Sequence, residues 1–344
     1  MAFVFVLLAA FTWLTALPGH RYDFPRDHFN HPGFRTEWWY YTGNLRDGGD
    51  HRYGIELVFF RQGQRRGPSG NPSAWRADDL YLAHLALTDI DGRRFVYRTR
   101  LNRAGPGIAG ADFDQARIWN GNWQAQWDLA SGAQTISAVA EGIRFTLRLK
   151  PLTAPIINGE NGVSQKAAGP GKASYYVSFP RLEAAGTLNG RRVEGMVWMD
   201  HEWFTHQLET NQQGWDWFCA QLGDGSGLML FQIRDSGGAI DPFSAGTYIA
   251  RDGRATHLRR SDFRLDPMAY WTSPQTGARY PVRWRIAVPS LHIALDCTAA
   301  LDQQEIVPEE AVGPAYWEGA VRYSGSETGV GYLEMTGYGK PVRL

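Results

Sequence analysis

Short aromatic-rich runs with a two-residue period follow one another along this 344-residue chain, and glycine-containing turns separate them. Residues 37–45 and 53–62 are two such runs, and the Asp-Gly-Gly-Asp turn between them joins them. A two-residue period places alternate side chains on opposite faces of a β-strand, so the pair predicts a hairpin. Strict helical periodicity is almost absent, while 14 Trp, 15 Tyr, 17 Phe and 39 Gly suit pleated sheets and turns. The pattern predicts an all-β chain.

The first hairpin recurs in the second half of the chain. Residues 38, 40, 41, 45, 47 and 48 fall without a gap on Trp215, Trp217, Phe218, Leu222, Asp224 and Gly225. After a short gap, the next strands align from Ile55 on Leu228 to Arg61 on Arg234. Two similar β-units from an internal duplication are therefore predicted, with chance matching of aromatic hairpins as the alternative.

One strand-like run, residues 196–206, delivers three ionisable side chains in succession. The strand period puts His201 and Trp203 on one face and Trp198, Asp200 and Glu202 on the other. Each face then pairs a proton-carrying group with an indole, which suits a dry pocket where an acid meets an apolar substrate. Residues 200–203 are our candidate catalytic group, and a structural ion pair at a strand end is the alternative.

Aromatic residues flank carboxylates at the starts of both matching hairpins. Strand faces rich in aromatic residues usually form the core, but the number of aromatic residues here argues for a ring-lined cavity that accepts a long apolar molecule. The candidate substrate-binding residues from these hairpins and the central run are Glu37, Trp38, Trp39, Tyr40, Trp198, Trp215, Asp216 and Trp217.

The carboxylates of Glu37 and Asp216 are expected to be partly desolvated near barrel ends. An unpaired carboxylate there is costly, so we expect Arg35, Arg61 or Arg234 to pair with them. Such pairs can be structural pins between strands as readily as catalytic groups. The Gly- and Asn-rich stretch 151–172 is long enough to be functional or mobile.

Several function classes are disfavoured by the motifs that the sequence lacks. His201 and His206 are five residues apart after a strand-like run, whereas the zinc-protease motif needs two histidines four apart on a helix. We find no Gly-x-Ser-x-Gly elbow and no phosphate-binding glycine loop. Lys+Arg and Asp+Glu both number 35, so a nucleic-acid partner is not expected. The prediction is no metal, no cofactor and no nucleic acid.

An uncharged apolar run, residues 1–16, opens the chain and the helix-breaking residues 17–19 follow it. Its length is that of a signal h-region, so residues 1–19 are predicted to be a signal-like or anchor segment of a periplasmic or secreted protein. A truncated start, a retained membrane anchor and a buried first strand are the alternatives. Cys219 and Cys297 either bridge in an oxidising compartment or are two buried free thiols.

Four stretches together resemble the AttH-like family: residues 36–45, 195–203, 214–217 and 316–319. That family includes carotenoid 1,2-hydratase (hydroxyneurosporene synthase), and its bacterial members are often labelled predicted secreted hydrolases. The resemblance covers the chain from about Tyr22 to Tyr338. It implies two tandem lipocalin-like β-barrel domains, which we place at residues 20–190 and 191–344, with strands near the boundary open to sharing. It also implies a ligand cavity near the domain junction.

In related proteins the chemistry is water addition to a terminal alkene or cyclisation of a polyene. The hydratase His and Trp correspond by position to His201 and Trp203. Hydratases also use a Tyr and an Asp on the strand after the next turn, where this chain has Phe231 and Gln232 instead. These two side chains cannot supply the same protons, although their position makes them candidate substrate-binding residues.

The expected function is that of an exported lipocalin-like enzyme acting on a polyene- or terpenoid-like substrate by acid-catalysed hydration, isomerisation or cyclisation. A non-enzymatic carrier of a hydrophobic ligand is the first alternative, because the hydratase Tyr and Asp are missing, and a secreted hydrolase is the second. A hydrophobic small molecule is the expected partner in either of the first two cases. Association with a membrane or an ABC transporter is a further expectation.

Overall fold

A computed structural model describes residues 12–66, 72–206, 208–308 and 313–342 of the chain. Nearly all its regular structure is β, and three single-turn 3₁₀ segments cover Arg26–His28, Arg260–Asp262 and Pro289–Leu291.

The first sheet has thirteen strands. They are β1 (Thr36–Asp47), β2 (Arg52–Gly63), β3 (Asp79–Asp89), β4 (Arg94–Arg103), β5 (Ala109–Asp112), β6 (Arg117–Asn120), β7 (Trp123–Trp127), β8 (Gln134–Ala140), β9 (Ile143–Pro151), β10 (Ile156–Ile157), β11 (Ser164–Gln165), β12 (Ala173–Leu188) and β13 (Arg191–Phe204).

The second sheet has ten strands. They are β14 (Gln212–Leu222), β15 (Gly227–Asp235), β16 (Ala245–Ile249), β17 (Ala255–Arg259), β18 (Arg264–Thr272), β19 (Arg279–Val288), β20 (Ile293–Ala299), β21 (Glu305–Ile306), β22 (Tyr316–Gly325) and β23 (Gly329–Met335).

Both sheets are antiparallel meanders in which the first strand pairs with the last. Their strand orders are β4-β3-β2-β1-β13-β12-β9-β8-β7-β6-β5 and β17-β16-β15-β14-β23-β22-β20-β19-β18. The short strands β10 and β11 pair with β12, and β21 pairs with β22. The shared arrangement supports the predicted duplication. The predicted fold class, all-β with two lipocalin-like barrels, is confirmed.

Hydrogen bonds from one side chain hold the two edges of the first sheet together. Asn120, at the end of β6, donates from Nδ2 to the Tyr81 carbonyl on β3 at 3.0 Å. Its Oδ1 accepts from Asn102 Nδ2 on β4 at 2.6 Å. These bonds join β6, which lies next to one edge of the sheet, to β3 and β4 at the other edge, so the sheet curls into a barrel.

Each barrel has its own apolar core, because the two-residue period sends alternate side chains inward. Leu57 and Phe59 are fully buried in the first core, and Leu230 and Leu333 in the second. A third cluster lies where the outer faces of the two sheets meet. Large aromatic residues from both sheets, including Trp198 and Trp217, are buried in it.

The predicted domain boundary at residue 190 is placed too early. Strand β13 pairs with β1 in continuous register, from Thr36 opposite Phe204 to Asp47 opposite Val193. The first sheet therefore runs to Phe204, and the second begins at Gln212. The Asn-Gly sequence at residues 189–190, where both φ angles are positive, is a hairpin turn inside the first sheet and not a linker.

Most of the predicted signal-like segment, residues 1–11, lies outside the described residues. Its remaining part packs on the first barrel, where Ala16 is buried and Tyr175 Oη contacts the Leu17 backbone N and O at 3.0 Å each. Among the helices in the described part of the chain, none is long and apolar enough to cross a membrane. Export and association with a membrane or transporter stay predictions.

Both cysteines are buried free thiols, so the disulfide alternative is wrong. Cys219 lies in the cluster between the sheets, whereas Cys297 lies inside the second barrel. The sheet itself separates them, because their strands send the two side chains to opposite faces.

We expect the unfolding temperature to be the same with and without a thiol reductant, since no cross-link constrains the unfolded chain. Thermal unfolding followed by circular dichroism, in dithiothreitol and in its absence, measures this. A lower midpoint in the reductant would mean that the two thiols are bridged in solution.

Candidate functional site

A cavity of about 90 Å³ lies where the two barrels meet. It is smaller than the roughly 300 Å³ at the low end of ligand pockets, so in this structure it admits one end of an apolar molecule. Its walls are mainly aromatic, with a few ionisable groups among the rings: they are Trp38, Tyr40, Phe60, Lys166, Tyr176, Asp200, Glu202, Leu208, Trp215, Trp217, Phe231, Ile233, Tyr316 and Glu334.

Asp200 is a carboxyl on this wall that accepts hydrogen bonds on both of its oxygens. Its Oδ1 accepts from Ser178 Oγ at 2.5 Å and from Trp198 Nε1 at 2.6 Å, and its Oδ2 accepts from Tyr176 Oη. Burial raises the pKa of Asp200 to about 7, although these three hydrogen bonds lower it. Near neutral pH, Asp200 can therefore both give and take a proton.

A buried cation lies beside Asp200. Lys166 Nζ is 3.3 Å from Glu202 Oε1, which also accepts a hydrogen bond from Ser174. The same ammonium lies 3.8 Å from the centre of the Phe231 ring, a cation–π contact. Burial lowers the pKa of Lys166, and the charge of Glu202 opposes that shift. The pair places fixed charge at one end of an apolar cavity.

The second barrel contributes its own carboxyl, that of Glu334 on β23. Its Oε2 accepts from Trp215 Nε1 at 2.9 Å. Burial raises the pKa of Glu334 to about 7, and the negative charges of Glu202 and Asp200 add to that shift. Two carboxyls from two barrels, Asp200 and Glu334, thus face one cavity with pKa values near neutrality. Like-charged groups that share a site in this way tend to hold one proton between them.

Behind the cavity wall lies a second set of buried ionisable groups. Tyr316 Oη donates to Glu56 Oε1 at 3.1 Å and contacts His84 Nδ1 at 2.6 Å, while Tyr40 Oη donates to Glu318 Oε1 at 2.5 Å. Burial raises the pKa of Glu56 to about 8 and also raises that of Glu318. Both carboxyls are fully buried, so they are held neutral at the contact between the barrels.

The raised pKa of Glu56 makes the stability of the fold depend on pH. A carboxyl of this kind contributes stability that is complete below its unfolded pKa of about 4.3 and lost as pH rises through its folded pKa. For Glu56 that loss ends at about pH 8. We expect the free energy of unfolding to fall between about pH 5 and about pH 8, and to fall less steeply in Glu56→Gln. Urea titrations at several pH values, with the exposed Glu141→Gln as control, would show equal slopes if Glu56 is ionised in the fold.

His201 and Trp203 lie on the other side of the sheet, as the strand period predicts. His201 Nε2 contacts Glu37 Oε1 at 2.9 Å, and the His201 ring stacks on Trp39 with centroids 4.9 Å apart. Trp203 is fully buried and stacks on His31. The run 200–203 is therefore split: Asp200 and Glu202 face the cavity, and His201 and Trp203 face into the first barrel.

The remaining predicted site residues divide in the same way. Trp38, Tyr40, Trp215, Trp217 and Phe231 line the cavity, and Trp198 lies behind it as a donor to Asp200. The other candidates point into one barrel or the other, because they occupy the alternate positions of their strands. Four residues predicted to bind substrate are therefore not part of the cavity: Glu37 and Trp39 lie in the first barrel, and Asp216 and Gln232 lie in the second.

The predicted pairing of buried carboxylates with arginines is confirmed. Glu37 Oε2 accepts from Arg61 Nε at 3.0 Å, and Asp216 Oδ2 accepts from Arg234 Nε at 3.1 Å and from Gln232 Nε2 at 2.8 Å. Burial alone would raise the pKa of Glu37, but the charges of His31 and Arg61 and two histidine hydrogen bonds hold it well below its ordinary value. Both pairs pin two strands together inside a barrel.

Four ionisable groups of the cavity were not among the residues predicted from the sequence: Lys166, Tyr176, Tyr316 and Glu334. Lys166 belongs to the stretch 151–172 whose length suggested function, but nothing in its neighbourhood singled it out. Glu334 interrupts an otherwise apolar strand, residues 331–335, and a charged residue at such a position indicates a buried ionisable group.

The AttH-like family model matches residues 15–338 of the chain. The crystal structure of an AttH protein from Nitrosomonas europaea is similar, with 32% identity, a TM-score of 0.85 and coverage of 94% of this chain and 99% of that one. Kievitone hydratase from Nectria haematococca has 14% identity, a TM-score of 0.66 and coverage of 88% and 89%. CghA has 14% identity, a TM-score of 0.52 and coverage of 91% and 90%. The last two likenesses show the fold alone. No functionally curated protein matches the sequence.

Proposed function

The chain belongs to the AttH-like family, and on that premise we propose that it is a lipocalin-like enzyme that adds water to an alkene of an apolar, terpenoid- or polyene-like substrate. The observation that carries the proposal is the pair of carboxyls, Asp200 and Glu334, that face one aromatic cavity with pKa values of about 7. A protonated and an ionised carboxyl in one dry site are the acid and the base that hydration requires.

The proposed reaction needs one proton donor and one proton acceptor. Asp200 gives its proton to one alkene carbon, and the neighbouring carbon becomes a carbocation. Water attacks that carbon through its oxygen and loses a proton to Glu334, so that H and OH have been added and the two carboxyls have exchanged protonation states. The indoles of Trp38, Trp215 and Trp217 lie on the cavity wall, where their π-faces can stabilise the developing cation.

The polar residues around Asp200 hold it for this role. Tyr176 is itself fixed by Trp217 Nε1, which donates to its oxygen at 2.9 Å, and its own proton goes to Asp200. We assign the acid to Asp200 and not to His201, because His201 lies behind the sheet in contact with Glu37. His201 then acts on the reaction only as a positioning residue, through β13.

The test is to incubate the protein with a panel of acyclic terpenoids and polyenes that carry a terminal alkene, in H₂¹⁸O. We expect a product heavier than its substrate by one ¹⁸O-labelled water. The same panel with heat-unfolded protein measures uncatalysed addition. Failure to form a labelled alcohol from every substrate would overturn the hydration proposal.

A carrier function is the second candidate, and the replacement of the hydratase Tyr and Asp by Phe231 and Gln232 favours it. Phe231 lines the cavity and Gln232 is engaged with Asp216, so neither supplies a proton to a ligand. Native mass spectrometry of the purified protein distinguishes the two: a carrier retains an unaltered lipid-like ligand, whereas an enzyme converts its ligand to a hydrated product.

A further inference from the structure

His31 and Glu37, six residues apart, meet the sequence-remote His201 inside the first barrel, on the face of β13 away from the cavity. His31 Nδ1 is 2.7 Å from Glu37 Oε1, and His201 Nε2 is 2.9 Å from the same oxygen. The potential ligand atoms of this triad all lie within 4.8 Å of one another. Two imidazoles and one carboxylate form a common donor set for divalent transition metals.

The triad is rigidly held. The His31 ring lies parallel to Trp203 with centroids 3.9 Å apart, and the His201 ring stacks on Trp39. Metal-binding side chains usually have such fixed orientations, because misplaced ligands cost binding free energy.

An outer layer of partners is also present. Asp27 Oδ1 contacts His31 Nε2 at 3.3 Å, so the far nitrogen of that ring faces a carboxylate. Arg61 Nε donates to Glu37 Oε2, which leaves Oε1 for the histidine side of the cluster. A carboxylate behind a ligating histidine and a donor behind a ligating carboxylate are the typical outer-shell contacts of a metal site.

The charges around the triad favour a dication. Arg61 pairs with the carboxylates of Glu37 and Asp79, and the carboxylate of Asp27 contacts His31, so three carboxylates and one guanidinium lie around the triad. With both histidines neutral, this group carries two net negative charges, and one divalent cation would neutralise it.

We propose that His31 Nδ1, Glu37 Oε1 and His201 Nε2 bind one first-row divalent transition-metal ion, with zinc as the reference ion. The ion replaces the protons through which the two histidines now contact Glu37. The sequence predicted no metal, because it offered only His201 and His206 as a motif. His206 is exposed, and the second histidine comes instead from the segment before β1.

The experiment uses the full chain, unfolded in a chelator, refolded with and without zinc, and freed of excess ion. We expect one zinc per chain by elemental analysis, a higher unfolding temperature in the zinc-loaded protein and proton release on binding by calorimetry. Cobalt refolding should give the visible absorption bands of an N/O-coordinated ion.

Matched variants locate the site. His31→Gln and His201→Gln should weaken zinc binding at least about tenfold, Asp27→Asn about 10- to 100-fold as an outer-shell change, and His206→Gln not at all. His31→Gln changes a residue outside the strands, which keeps a folded test available if His201→Gln fails to fold. Refolded protein without bound zinc, or equal zinc binding by the parent and His31→Gln, would overturn the proposal and leave a proton network only.

Discussion

Glu37→Ala is expected to lower the free energy of unfolding by about 3 kcal/mol or more. The side chains of Glu37 and Arg61 are both fully buried, so the substitution leaves a guanidinium without its main counter-charge in an apolar barrel. It also removes the acceptor that His31 and His201 share. Breaking one half of a buried ion pair costs far more than the pair contributes, because the remaining charge is not solvated.

Urea unfolding in a chelator measures this effect without any contribution from bound metal. The pKa of Glu37 is lowered in the fold, so its contribution is present above its unfolded pKa of about 4.3 and is lost as pH falls below that value. The difference between parent and variant should therefore shrink in acid. Glu194→Ala is the control, because Glu194 pairs with Arg46 on the exposed surface, and its effect should be several times smaller. Superimposable curves for the parent and Glu37→Ala would show that Glu37 is solvated.

Asp200→Asn is expected to lower the hydration rate by at least about 100-fold, since a positioned general acid contributes roughly 10²- to 10⁴-fold. The amide keeps the shape of the carboxyl but has no proton to give to the alkene. The substitution should change the unfolding temperature least at a pH well below 7, because Asp200, with a pKa of about 7, is then largely neutral in the fold. The rate is measured with the substrate that gives the labelled alcohol.

The pH profile provides a second readout of the same assignment. The acid must be protonated and the base ionised, so the rate should pass through a maximum near pH 7, where both pKa values lie. Glu334→Gln should remove the acidic limb, and Asp296→Asn, on the exposed surface beside Arg285, should change neither limb. An Asp200→Asn variant as active as the parent would move the acid to another residue.

The duplicated fold explains why the site lies between the barrels. Equivalent positions of the matching strands face the same way in both units, so Trp38 and Trp215 both point out of their barrels and stack with centroids 6.5 Å apart. Each barrel is filled by its own core, and the space that remains for a ligand is at the contact of the two outer faces. A single barrel would present Asp200 or Glu334 but not both.

The faces of the strands and two buried ion pairs could be predicted from the sequence alone, because they depend on local backbone geometry and on the repeat. The two-residue period is a property of the extended backbone, so the separation of His201 and Trp203 from Asp200 and Glu202 could be predicted. The repeat placed Arg61 and Arg234 where a buried carboxylate needs a partner, and both pairs are present. The Asn-Gly sequence at residues 189–190 is typical of a hairpin turn, and it joins β12 to β13.

Tertiary structure decided which face of each strand looks into a barrel and which into the junction. A period of two gives two faces without saying which is inside, and for that reason Glu37, Trp39, Asp216 and Gln232 were placed in the wrong environment. Glu334 meets Asp200 and His31 meets His201 only because distant strands and segments pack together. Burial then sets the protonation of these groups, and burial depends on the whole packed fold.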